Sequence, residues 1–161
     1  MYHFMPYKLF SLFWLLIIHL SINGQVKKAT TFINPTGSYK LDSETETKDG
    51  ETYGYFGEIN VKLLKNSKIA ITLFVCKGAP SYNSGTIWDT LNYQNNVSVY
   101  KTPEDDSTCK IVLTFKKSGI TIEQHQADLN FGCGFGHGVF ADGFYKKTSS
   151  KIPIIKDPAE D

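Results

Sequence analysis

From Tyr53 onward the chain alternates with a period of two. Tyr53, Tyr55, Ile59, Val61 and Leu63 fall on one parity, and Glu58, Asn60 and Lys62 fall on the other. Successive side chains of a strand point to opposite faces, so this pattern predicts a half-buried strand and excludes a helix. Lys65-Asn66-Ser67-Lys68 turns the chain, and Ile69, Ile71, Leu73 and Val75 resume the alternation, which predicts a hairpin. Thr86 to Tyr93 and Val97 to Tyr100 form a second pair around Gln94-Asn95-Asn96. Cys109, Ile111, Leu113 and Phe115 lead through Lys117-Ser118-Gly119 into Ile120 and Ile122. Gly37-Ser38-Tyr39-Lys40 opens the series, and Gly143-Phe144-Tyr145-Lys146 echoes it at the other end. About eight short strands joined by tight turns predict an all-β fold, an antiparallel up-and-down barrel whose first and last strands meet. Eight strands leave an interior that side chains fill or that holds one small ligand, as in a lipocalin.

Between Phe131 and Lys146 glycines occupy every second position from Gly132 to Gly138. As a strand this stretch would have one bare face and would carry Phe131, Cys133, Phe135, His137 and Val139 on the other. It is expected to be the closing strand, anchored by Cys133. Gly136-x-Gly138-x-x-Ala141 matches a dinucleotide loop in form, but Asp142-Gly143-Phe144-Tyr145 does not start the helix that such a loop needs.

The organisation around the barrel follows from composition. One positive charge in Met1 to Lys8, an apolar run from Leu9 to Ile22 and the small polar Asn23-Gly24-Gln25 have the layout of a secretory signal peptide. The expected division is a signal peptide over 1–24, a polar lead-in over 25–36, the barrel over 37–148 and a loose tail over 149–161. Cleavage near Gly24 leaves about 137 of the 161 residues, one domain that buries roughly two-thirds of its unfolded surface. The apolar run is short for a membrane span of roughly 20 residues, so no stable anchor is expected after cleavage. Without Lys8 the lysines and the acids are equal at 16 each, and there is no arginine. A nucleic-acid binder needs a basic excess, so that class is excluded.

Three cysteines in an exported chain imply one disulfide and one thiol. Cys109 and Cys133 are the expected pair, because a hairpin and a return between them bring their ends together. Cys76 is then a buried small hydrophobe or the partner of another chain. No C-x-x-C or H-x-x-x-H spacing occurs, so no metal or other cofactor is expected. Asp42 to Glu51 lacks the glycine and glutamate spacing of a calcium loop and reads as a solvated hairpin loop. Cys76, His125, His137 and Asp142 have the residue types of a thiol–histidine–acid set, but no spacing unites them, so no catalytic residue is assigned. Asn96-Val97-Ser98 matches a glycosylation sequon. The best binding candidate is the loop Lys77 to Gly85, with Lys77, Ser81, Tyr82 and Asn83, because a proline-stiffened loop on a rigid scaffold offers donors at low entropic cost. His137, between glycines, is expected to be reachable as well.

Three pieces carry a resemblance: Cys109-Lys-Ile-Val-Leu-Thr-Phe, Gly119-Ile-Thr-Ile-Glu, and Cys133-Gly-Phe-Gly-His-Gly-Val-Phe-Ala-Asp-Gly-Phe-Tyr-Lys. Over about 40 residues the chain resembles small exported bacterial β-barrel domains found among periplasmic lysozyme-inhibitor proteins. The resemblance implies a small barrel that inserts a loop into the acidic cleft of a hydrolase. Lys77-Gly78 and Ser38-Tyr39 are similar to short pieces of the contact motifs of that family. The expectation is therefore a non-enzymatic binding protein with a protein partner, a lysozyme-type cell-wall hydrolase. A lipocalin-like carrier of a small apolar ligand is the alternative.

Overall fold

A computed structural model describes residues 30–102 and 109–155. The expected signal peptide, the first residues of the lead-in, the polar turn from Pro103 to Ser107 and residues 156–161 of the tail lie outside them. The described residues form nine strands and no helix: β1 Gly37–Leu41, β2 Glu46–Lys48, β3 Glu51–Leu63, β4 Lys68–Gly78, β5 Ser84–Asn92, β6 Val97–Lys101, β7 Lys110–Lys116, β8 Gly119–His125 and β9 Gly143–Ser149. Eight of them make one antiparallel sheet in the order β5-β4-β3-β1-β9-β8-β7-β6, a barrel that is nearly closed.

The first and last strands do meet. Lys40 pairs with Lys146 and Leu41 with Tyr145. β2 is the additional strand, and it lies within the charged stretch read as a loop. Asp49 and Gly50, at φ 53° and 79°, make a two-residue turn after it, the positive-φ geometry that suits twisted hairpins. β2 pairs with the beginning of β3 while β1 pairs with its end, so the two act as one interrupted strand.

The inward parity holds the core. Ile59, Val61, Ile69, Ile71, Leu73, Val75, Ile111, Leu113, Ile120 and Ile122 are fully buried, as are the rings of Tyr39 and Tyr145. The ring of Phe115 lies edge-on to Tyr39 and Tyr93, with centroids 6.5 and 5.1 Å apart, which fills the centre. The tyrosines keep their hydroxyls satisfied at the rims: Tyr39 donates to the carbonyl of Pro35 at 2.5 Å and Tyr145 to that of Ala141 at 3.1 Å. Burial, aided by the neighbouring Tyr93, pushes the Tyr39 phenol up to about 12.

The lead-in is tied across one end. Asn96 accepts from the Ile33 amide at 2.9 Å and donates to the Thr31 carbonyl at 2.7 Å, while Tyr93 donates to the Ile33 carbonyl at 2.6 Å. Thr36 accepts from the Leu63 amide at 3.1 Å. The sequon asparagine is therefore a buried clamp whose amide nitrogen is already engaged, a structural role in place of a glycan acceptor. Ser149 belongs to β9, and residues 152–155 border a cleft beside Leu64, Ala70 and Trp88 on the outer wall.

One expectation is overturned. The glycine stretch is not a strand: 131–142 is a series of turns, and only Gly143–Ser149 is extended. Cys133, Gly134 and Gly138 have φ of 59°, 71° and 63°, left-handed values that three times in six residues turn the chain out of an extended course. Phe135 and Val139 donate to the carbonyls three residues earlier, Gly132 and Gly136, as in successive tight turns. The alternate glycines thus supply turning freedom rather than a bare face.

Candidate functional site

The barrel has two unlike ends. At the turn end lie the β3–β4, β5–β6 and β7–β8 turns and the tied lead-in. At the loop end lie the β4–β5 loop, the β2–β3 hairpin and the glycine turns.

The order of strands places β5 and β6 at its two extremes, and among the described residues no ladder joins them; the bridge from Gln94 to Val97 closes the turn between them at the turn end. At the loop end the glycine turns span this seam. Gly136 donates to the Ser84 carbonyl at 2.9 Å on the β5 side. On the other side Cys133 is bonded to Cys109, the residue before β7, with their Cα atoms 5.0 Å apart. The ring of Phe135 lies where a Cβ on Gly85 would stand, so glycine at that position is what allows the turns to dock. The expected disulfide is present, and Cys76 is the buried free thiol. Closing a loop of separation 24 stabilises the fold by about 3 kcal/mol on the chain-entropy account.

Three of the five candidate site residues are brought together by this docking. Lys77 Nζ and Asn83 Nδ2 both donate to the carbonyl of His137, at 3.3 and 3.0 Å. The β4–β5 loop and the glycine turns, more than 50 residues apart in sequence, therefore make one surface. The His137 side chain is exposed and packs on Phe131, ring centroids 5.2 Å apart. Ser81 is exposed, as is Tyr82, which sits at φ 50° at the tip of the loop. The Tyr82 hydroxyl accepts from the Thr52 amide at 3.0 Å, and the Ala79 amide donates to the Thr52 carbonyl at 2.7 Å, so β3 braces the loop from beneath. The Ala79–Pro80 peptide is cis.

Sequence reasoning missed the supporting residues. Tyr55, assigned to the core by parity, is only half-buried and sends its hydroxyl to the Gly138 carbonyl at 2.7 Å. Tyr53, on that same parity, is exposed beside the β4–β5 loop, because the β3–β4 register shifts between Tyr53 and Phe56. Phe131 and Leu129 add exposed apolar surface. Only the shift in register and the docking of the turns create this patch, and neither leaves a periodic mark.

The residues of the imagined catalytic set have separate partners. Cys76 Sγ accepts from the Gly78 amide at 3.4 Å, and Asp142 accepts from the Gln124 amide at 2.8 Å. None of these contacts joins the thiol to a histidine. Among the described residues no three His, Cys, Asp or Glu side chains stand close enough to hold a metal ion. Among them, too, no helix is long and apolar enough to cross a membrane. Comparison of the chain with protein-family models, with curated proteins and with solved structures finds no match.

Proposed function

We propose that this protein is an exported, non-enzymatic barrel that binds another protein through its loop end, and that the partner is a lysozyme-type cell-wall hydrolase. The observation that carries the reading is the shared His137 carbonyl, which locks two distant loops into one surface before any partner arrives. A preformed surface binds without the cost of ordering its loops. Tyr82, Ser81 and the His137 ring are the groups presented, with Tyr53 and Phe131 as apolar flanks. An exposed tyrosine on a braced loop has the rigidity of a binding anchor. Lys77 holds the loops together through a neutral carbonyl and so brings a positive charge to the same surface, where it would face a carboxylate in the hydrolase cleft. The disulfide supports export, since such bonds persist in oxidising compartments. A centre filled by Tyr39, Tyr145 and Phe115 favours surface binding over carriage of a ligand inside the barrel.

The test is inhibition of a panel of lysozyme-type hydrolases by the chain from Gln25 onward. Inhibition by the native chain that Tyr82→Ala weakens at least tenfold would support the reading. Absence of both inhibition and binding at micromolar excess across the panel would overturn it.

A further inference from the structure

The lysines and acids that nearly cancel in the sequence are not evenly spread by the fold, since lysines occupy both ends of the barrel and the described acids are absent from one. Among the described residues the turn end is built from 30–36, 63–68, 92–97, 115–120 and 146–155, and these hold no Asp or Glu. They do hold the exposed Lys65, Lys68, Lys116, Lys117, Lys146 and Lys151. The register sets Lys116 and Lys146 on either side of Gly119, and places Lys68 opposite Asn92 at the same end of the barrel. Asp42, Glu44, Glu46, Asp49 and Glu51 lie at the opposite end, at the β1–β2 connection and the β2–β3 hairpin. Strands of this length separate the two ends by roughly 25 Å, even when tilted as in a barrel. At physiological salt the screening length is about 8 Å, so these five acids do not neutralise the lysine end.

This end is also apolar in places. Phe32 is 65% exposed, Ile152 70% and Ile154 83%. Phe32 borders a cleft at this end with Leu63 and Leu64, and the two isoleucines border the next one, which runs from Leu64 down the outer wall along Ala70, Trp88 and the acidic Asp89.

We propose that the turn end docks on an anionic lipid bilayer surface. Lysines attract a negative surface, and exposed aromatic and branched side chains enter the boundary between headgroups and acyl chains. A soluble polyanion would use the lysines but would give Phe32, Ile152 and Ile154 nothing to contact, which is why the bilayer is the occupant favoured. Docking here leaves the loop end pointing away from the membrane, open to a protein partner. The proposal does not depend on the identity of that partner.

The experiment is sedimentation of the chain from Gln25 onward with phosphatidylcholine vesicles, with and without phosphatidylglycerol. Binding is expected only with the anionic lipid and is expected to weaken as salt rises. Each lysine near such a surface contributes roughly fivefold in affinity, so Lys65→Gln with Lys117→Gln should weaken binding about 25-fold. Phe32→Ser should weaken it further, while Lys48→Gln with Lys110→Gln, at the opposite end, should not. Failure to bind anionic vesicles at low salt would overturn the proposal, as would equal losses from the two lysine pairs. Equal binding to a soluble polyanion, with no effect of Phe32→Ser on either, would also overturn it in favour of a general polyanion site.

Discussion

The ring of Phe135 occupies the place where a side chain on Gly85 would begin, and this is how the glycine turns lie against β5. A Cβ at Gly85 must displace the ring. Gly85→Ala is therefore expected to cost about 1–3 kcal/mol, the range for overpacking, and to lower the melting temperature by a few degrees per kcal/mol. Phe135→Ala alone should cost about 3–5 kcal/mol. In the double variant the alanine meets no ring, so the two losses should fall short of additivity; strict additivity in a thermal double-mutant cycle would refute the contact.

The disulfide fastens the other side of the same turns. Replacing Cys109 and Cys133 together by serine should remove about 3 kcal/mol, read as a lower denaturant midpoint. Thiol titration of the oxidised chain should find Cys76 slow to react when folded, because it is buried, and freely reactive once unfolded. Fast labelling of the folded chain would contradict the burial.

Asn96 serves the lead-in at φ 63°, a conformation that asparagine accepts and alanine resists. Asn96→Ala breaks the bonds to Ile33 and Thr31 and should cost about 2–3 kcal/mol. Hydrogen exchange at the Ile33 amide is expected to accelerate in that variant while amides of β7 and β8 remain protected. If the chain is expressed in a glycosylating host, the folded protein should carry no glycan at Asn96, which mass measurement will show.

The buried phenols make stability fall in strong alkali. Burial raises Tyr39 and Tyr93 to about 12 and Tyr145 further still, helped by the nearby Asp142 carboxylate. An unfolded tyrosine ionises near 10, so above that pH the unfolded chain loses protons that the folded chain keeps. The contribution of these groups is fully present below pH 10 and declines as pH rises from 10 through 12. Burial raises Tyr55 and Tyr100 as well, so the absorbance of tyrosinate, followed in the folded and the denatured chain, should show these five phenols titrating later in the folded one. Coincident titration curves would refute their burial.

Strand periodicity was legible because it answers to a local rule. Where one face meets the core and the other meets water, residues such as Ile69, Ile71, Leu73 and Val75 must alternate, and most strands were placed within two residues, though β4 runs on to Gly78 and the closing strand begins only at Gly143. The paired G-x-Y-K ends and the Cys109–Cys133 bridge were legible for the same reason: strand directions alternate, so the partners fall on the same side. The glycine stretch misled because a spacing of two serves a strand and a run of tight turns alike, and only the backbone angles at Cys133, Gly134 and Gly138 distinguish them. β2 was hidden because all three of its residues are exposed and carry no alternation.

The amino-acid order alone determined an all-β barrel with one disulfide and one spare thiol, since burial periodicity and cysteine number are local properties that need no knowledge of neighbours. Only the tertiary structure decided what the two ends are. Joining Lys77 and Asn83 to the His137 carbonyl, and gathering the lysines of two turns and of β9 on one rim, depend on contacts between residues tens of positions apart. Such contacts are set by register and by the docking of one loop on another, so the charges and loops of this chain acquire their arrangement only when the barrel closes.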